Sequence, residues 1–388
     1  MRTEDTKTGK PRWFQSAGGK VVYNLSRMER QRLVALFRNW SDIEAVANLS
    51  PLYQLLGNAV AADEELLDLA AEALPGQPPP NVLFAAVHAR LAQHLEHPLA
   101  VYYGTLGGSR AAAPEAVGLF REFCISRRRE LLPVVRARLV QTNEVRRSAV
   151  LLPAFASVAE DAGQPLALFE IGPSAGLNLL FDRYRYRYGT TELGSPESPV
   201  LLVSEPRGMP PEVLMPAVAS RLGIDINPLD VRDPDDVAWL KALLWPEHTD
   251  RMALLEAALS VARQSPPELL RGDLFELLPP RINATPPHQV VCIFATFVLN
   301  QFSPAMLASL RKMLVELSVS RPVYLVVMGF TEFIEPGTPW IGDAQVWVLR
   351  LRGGRGGIPP CFDREPPRAV ARLASEFPVE SLAAEVLS

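Results

Sequence analysis

The chain has 388 residues, 48% hydrophobic and 21% charged, which excludes a disordered or fibrous polymer and leaves room for two structural units. A formal net charge of −4 gives no field that would gather nucleic acid or an anionic membrane, so the expected partner is a small molecule. Three widely spaced cysteines without a C-x-x-C pair fit a reducing compartment and exclude a thiolate zinc cluster, so no metal site is expected. The start, MRTEDTKTGKPRW, lacks an apolar signal stretch. The longest apolar runs, VVCIFATFVL and VYLVVMGF, reach about half of the roughly 20 residues of a spanning helix, and a cytoplasmic location is expected.

From about Leu25 to Ala162 apolar residues recur at helical spacing. Start signals lie at Ser50 before Pro51, at Asn81 before VLFAAVHARLA, and at Pro114 opening a helical segment that runs through Val140. An all-helical domain over residues 1–150 is predicted. After Gln164 short apolar runs alternate with helical stretches: 166–171, 223–231, 268–274, 289–297 and 322–330. That alternation predicts a parallel sheet with crossover helices over 151–388. AQVWVLRLRGG (344–354) reads as an antiparallel edge strand. Residues 184–212 read as an insertion with its own extended run, PVLLVSEP. Within it, RYRYRY (183–188) alternates, and with an acidic chain it reads as a half-buried segment rather than a stacking platform for nucleic acid.

The most specific local signal is FEIGPSAGLNLLFDRY (169–184), a strand, a small-residue turn and a helix. A dinucleotide loop needs a third glycine at position 177, which is leucine. The acidic-x-G-x-G-x-G pattern of S-adenosylmethionine-dependent methyltransferases fits Glu170, Gly172, Ser174 and Gly176 with one Gly-to-Ser change, followed by Asn178. The glycines would let the backbone approach the ligand and the following helix would offer its N-terminus to a carboxylate. Gly172-Pro-Ser174-Ala-Gly176 is also a literal nucleophile elbow, which would make Ser174 the nucleophile of a serine hydrolase. No histidine, however, lies in the last hundred residues. A third class is a non-catalytic nucleotide-binding sensor of the same fold.

Further acids fall in order. Asp225 ends one strand, where a methyltransferase holds both ribose hydroxyls, although the long gap after Gly172 lets Glu205 compete. Asp273 and Leu274 follow the next strand, where the equivalent acid meets the adenine amino group. Thr296 and Asn300 lie just past the fourth strand, facing the transferred methyl. Singly, each aspartate reads as an ordinary cap. Before the first strand, Gln141, Thr142, Asn143 and Glu144 precede an amphipathic helix. They read either as its cap or as a turn over the cofactor, with Asn143, Glu144 or Arg147 reaching the substrate.

QTNEVRRSA, FEIGPSAGLNLLFDRYRY, RLGIDINPLDV, the WL and WPE of VAWLKALLWPEHTDR, RGDLFEL and SPLYQLL together resemble the bacterial domain-of-unknown-function family 2332 over about residues 30–330. The resemblance implies a Rossmann-like, methyltransferase-like fold and no particular substrate. The combined expectation is an α/β protein: a helical cap over a mostly parallel, seven-stranded sheet of methyltransferase type that binds S-adenosylmethionine. A family-type histidine-glycine motif is not found toward the C-terminus, where GGRGGIPPCFDREPP (353–367) stands instead.

Overall fold

A computed structural model describes residues 25–204, 213–329 and 345–351. Among the described residues, seven α-helices come first: α1 Arg27–Asn39, continued by a π-helical turn Trp40–Ala45, α2 Pro51–Val60, α3 Glu64–Ala70, α4 Pro79–Leu91, α5 Glu115–Ser126, α6 Arg128–Val135 and α7 Arg147–Ala162. Ser26 and Glu29 form a reciprocal capping box on α1, and the Ser50 hydroxyl accepts from Tyr53 N at the start of α2, as its place before Pro51 foretold. Two start signals were misread. Asn81 lies inside α4, whose N-cap is Pro78, because Pro79 and Pro80 already supply the fixed φ of a first turn. The segment after Pro114 is not one helix: Arg127, at φ −104°, separates α5 from α6.

Strand β1 (Leu166–Ile171) follows α7 directly. After a 3-10 turn at Leu177–Arg183, β2 (Arg185–Tyr188), β3 (Thr191–Leu193) and β4 (Leu201–Ser204) make a separate three-stranded sheet in the order β3-β2-β4. In β2 the tyrosines point inward, fully buried, and the arginines stay part-exposed. The hydroxyls of Tyr184, Tyr186 and Tyr188 donate to the carbonyls of Leu177, Phe181 and Ala149 at 2.6, 2.6 and 2.5 Å, so RYRYRY is a half-buried segment whose last four residues form β2.

The chain then alternates β5 (Val218–Asp225), α8 (Pro234–Ala242), α9 (Thr249–Gln264), β6 (Glu268–Arg271), α10 (Leu274–Asn283), β7 (Val290–Thr296), α11 (Pro304–Ser318), β8 (Val323–Gly329) and β9 (Gln345–Leu351). The main sheet runs β6-β5-β1-β7-β8-β9: five parallel strands, with β9 antiparallel at the edge as predicted. Among the described residues it has six strands, against the seven expected. The second parallel strand also begins earlier than predicted, at Val218, and turns at Asn227-Pro228.

Successive residues of β1 face opposite layers. Leu166 and Leu168 join a core shared with the helical segment and α7, while Phe169 and Ile171 pack with residues of α10 and α11. Because β5 and β7 flank β1, the strand order reverses between β1 and β7. In such sheets a crevice opens outside the carboxyl ends of the strands at that point. No helix among the described residues is long and apolar enough to cross a membrane.

Candidate functional site: a cleft at the carboxyl edge of the sheet

A cleft of about 750 Å³ opens there, within the usual size of a small-molecule site. Its walls are the turn after β1 (Gly172, Ser174), the ends of β5 (Asp225, Ile226) and β6 (Gly272, Asp273), the start of α10 (Leu274, Phe275), the segment Thr296–Phe302, and the strap 139–143 that leads into α7. Of the residues singled out from sequence, Gly172, Ser174, Asp225, Asp273, Leu274, Thr296, Asn300 and Asn143 come together here. Glu144, Glu170, Gly176 and Asn178 do not line the cleft.

Asp225 is the hub. Its Oδ2 accepts from Ser174 N at 2.9 Å, and its Oδ1 from Asn227 N at 2.8 Å and from the Gln141 amide at 3.2 Å. Gln141 is bonded a second and third time, to Asn227 O and from Asn227 Nδ2. Asn143 completes the strap. Its Nδ2 donates to Pro173 O at 3.2 Å and its Oδ1 accepts from Leu177 N at 3.1 Å. The ordinary reading of Asn143 as cap of α7 fails, because α7 starts at Arg147 with no side-chain cap, and Asn143 closes the glycine turn instead.

The glycine turn is tight, with Gly172, Ser174 and Gly176 at φ +65°, +53° and +72°. A Cβ on Gly172 would lie 2.5 Å from Val298 Cγ2, and one on Gly176 would lie 2.8 Å from Pro267, so both glycines make room for the chain's own side chains. The expected helix after the turn is a kinked 3-10 segment of 7 residues. The N–H groups of Gly172, Ser174, Gly176 and Leu177 all bond within the protein, so these four amides of the turn are not offered to a carboxylate. Ser174 Oγ donates to Gln141 O at 3.2 Å, and none of the five histidines lines the cleft, which leaves this hydroxyl without an imidazole base.

At the β6 side of the cleft, Asp273 caps α10 through Phe275 N at 2.7 Å. Leu274, first in the helix, has an N–H with no intrahelical acceptor. Ile226 is 74% exposed although it is large and apolar, and it faces the same cleft. Sequence reading missed it. Its signal was an apolar residue directly after an acid at a strand end.

At the other side, Thr296 Oγ1 accepts from Arg147 at 3.2 Å, and the Arg147 guanidinium lies 4.8 Å from the centre of the Phe297 ring. Phe297 itself sits at φ +61°, a strained conformation for an aromatic residue. Burial pulls the Arg147 guanidinium down to about 10, with Glu144 and Glu170 opposing that shift. Burial likewise pushes Glu170 up to about 8 despite the pull of Arg147, and one carboxyl oxygen of Glu170 is buried without a hydrogen bond.

Glu144 turns away from the cleft into a buried ion pair with Arg251. Burial, the largest single influence, raises its pKa, but Arg251, the Arg146 backbone N–H and the charges of Arg146 and Arg147 together outweigh it and hold Glu144 below the usual carboxylate range. Asn178 is fully buried, its Oδ1 accepting from Ser148 Oγ at 2.9 Å. A smaller enclosed cavity of about 50 Å³ lies behind the strap, room for a few waters only. Glu205 and GGRGGIPPCFDREPP lie outside the described residues.

The fold and the cleft define an α/β protein with a crevice at the reversal point of its sheet. A family model described as "Uncharacterized protein conserved in bacteria (DUF2332)" matches residues 35–359, and the chain belongs to that family. No curated protein and no solved structure matches the chain.

Proposed function

We propose that the cleft binds S-adenosylmethionine and that the chain is a methyltransferase acting on a small molecule, built on a methyltransferase-type Rossmann-like sheet. One observation carries the reading. Four strand ends, β1, β5, β6 and β7, deliver in chain order a glycine turn, a carboxylate, an acid beside an unpaired N–H, and a polar pair, all to one cleft.

The donor set fits this cofactor. Asp273 offers an acceptor beside the Leu274 N–H, which suits the amino group and adjacent ring nitrogen of adenine. Ile226, Leu274 and Phe275 supply apolar surface for the base. Asp225 uses three of about four lone-pair directions, so it can take about one ribose hydroxyl, with Gln141 Oε1 beside it as a second acceptor. The methionine end would lie by Gly172 and Ser174, toward Thr296, Asn300 and Asn143. Since the N–H groups of Gly172, Ser174, Gly176 and Leu177 are internally bonded, its carboxylate would be held mainly by side chains and water.

When bound, the cofactor supplies a reactive sulfonium methyl. The chain's part is alignment and exclusion of water: the strap roofs the cleft, Arg147 holds Thr296 in place, and no nucleophilic side chain is required. Titration calorimetry with S-adenosylmethionine and S-adenosylhomocysteine tests the reading. Micromolar binding of both is expected, and no heat from either at millimolar concentration removes it. Binding with no turnover of any acceptor would retain the cleft assignment and reduce the chain to a sensor.

A further inference from the structure

The charges that face the cleft are few. Among the described residues that line it, Asp225, Asp273 and Arg147 are the charged ones, and no lysine, histidine or second arginine stands beside Arg147. The two aspartates sit at the ends of β5 and β6, the ribose and base side of the proposed cofactor. A carboxylate placed against either would meet like charge in a partly desolvated cleft. Opposite charge is met only at the Arg147 wall, beside the end of β7, where the methionine moiety was placed.

The guanidinium there is a fixed group. Arg147 is 4% exposed, donates to Thr296 Oγ1 at 3.2 Å, and lies 4.8 Å from the centre of the Phe297 ring. A guanidinium held in place by such neighbours loses little further freedom when it takes a carboxylate, and its planar fork matches the two oxygens. Burial lowers its pKa only to about 10, so it is charged at neutral pH. Arg147 also opens α7, and the dipole of that 16-residue helix puts positive potential at the same end.

Two other uses of this cation fit less well. Beside the sulfonium it would set positive charge against positive charge. On a carboxylate of the methyl acceptor it would leave the cofactor's own carboxylate in a cleft whose other charged lining residues are both acidic.

We infer that Arg147 recognises the methionine carboxylate of S-adenosylmethionine, and so selects the intact amino-acid cofactor over adenosine thioethers that lack that group. The inference rests on the cofactor reading of the cleft.

The test is titration calorimetry on the full chain with S-adenosylhomocysteine, with decarboxylated S-adenosylhomocysteine, which keeps the amine, and with methylthioadenosine, which lacks both groups. The parent should bind S-adenosylhomocysteine at least about thirtyfold tighter than its decarboxylated form. Arg147→Gln should bring that ratio within about threefold, through loss at S-adenosylhomocysteine, while the two carboxylate-free ligands lose less than about threefold. Arg147→Lys keeps the charge without the fork and should retain a ratio of about five- to tenfold, which keeps the test decisive if the glutamine variant melts early by circular dichroism. A parent that binds S-adenosylhomocysteine and its decarboxylated form equally overturns the inference and leaves the cleft assignment standing. Variants that weaken all three ligands alike, the mark of a role exerted only through Thr296, or that leave the ratio at its parental value, overturn it too. No binding of any of the three removes the cofactor reading itself, and the inference with it.

Discussion

Replacing Asp225 tests the joint between fold and ligand. Its carboxylate accepts from Ser174 N, Asn227 N and Gln141 Nε2 and is 7% exposed, so these donors have few substitutes. Hydrogen bonds to a charged acceptor contribute about 1.5–3 kcal/mol each. Asp225→Ala removes three, but water can enter from the cleft side, so a net loss of about 3 kcal/mol is expected. Asp225→Asn is the sharper change. Its amide nitrogen must face either the single Ser174 N–H or the pair at Oδ1, and turning it to Ser174 loses one bond and sets donor against donor, at about 1–3 kcal/mol. Chemical unfolding gives the stability, and calorimetry with S-adenosylhomocysteine gives the ligand term, where at least a hundredfold loss, about 2.7 kcal/mol, is expected for the alanine variant. An asparagine variant within 0.5 kcal/mol of the parent that binds equally well would refute the role of this hub.

Three other outcomes follow from the same geometry. Asp273→Ala should weaken S-adenosylhomocysteine by about tenfold while a cofactor analogue lacking the adenine amino group is little affected; equal losses for both would contradict the base assignment. Glu144→Ala leaves Arg251 buried without its main counter-charge and should cost about 3–5 kcal/mol, with ligand affinity unchanged because Glu144 lies off the cleft. Glu170 carries a raised pKa, so between the ordinary value of 4.5 and about 8 the folded chain binds more protons than the unfolded one, and stability falls as pH rises through that window. Glu170→Gln should therefore gain on the parent across the window, by at most on the order of 5 kcal/mol, and level off above it; a constant difference across pH would contradict this.

The parallel strands were legible because β1, β7 and β8 are buried on both faces and read as unbroken apolar runs. β5 was displaced in the reading because its first half, Val218 to Arg221, is exposed or part-exposed and carries no such signal. The small β3-β2-β4 sheet was only half visible, since an extended run states nothing about its partners. At the site, residues at strand ends were found by spacing alone: Asp225, Asp273 and Thr296 all reach the cleft. Glu170, Gly176 and Asn178 share the motif but point behind it, a distinction made by strand alternation and by packing against Pro267 and Ser148. Gln141 was singled out only as part of the polar stretch before α7; its bond to Asp225 was not anticipated and Ile226 was not singled out, because contact across 84 residues, or exposure of one isoleucine, leaves no local pattern.

The most direct measurement is a crystal structure grown with saturating S-adenosylhomocysteine. The ligand should occupy the cleft with its base between Ile226 and Leu274, its amino group on Asp273 and a ribose hydroxyl on Asp225. Density elsewhere, or a cleft left empty with Gln141 still bonded to Asp225, would contradict the cofactor and the enzyme together.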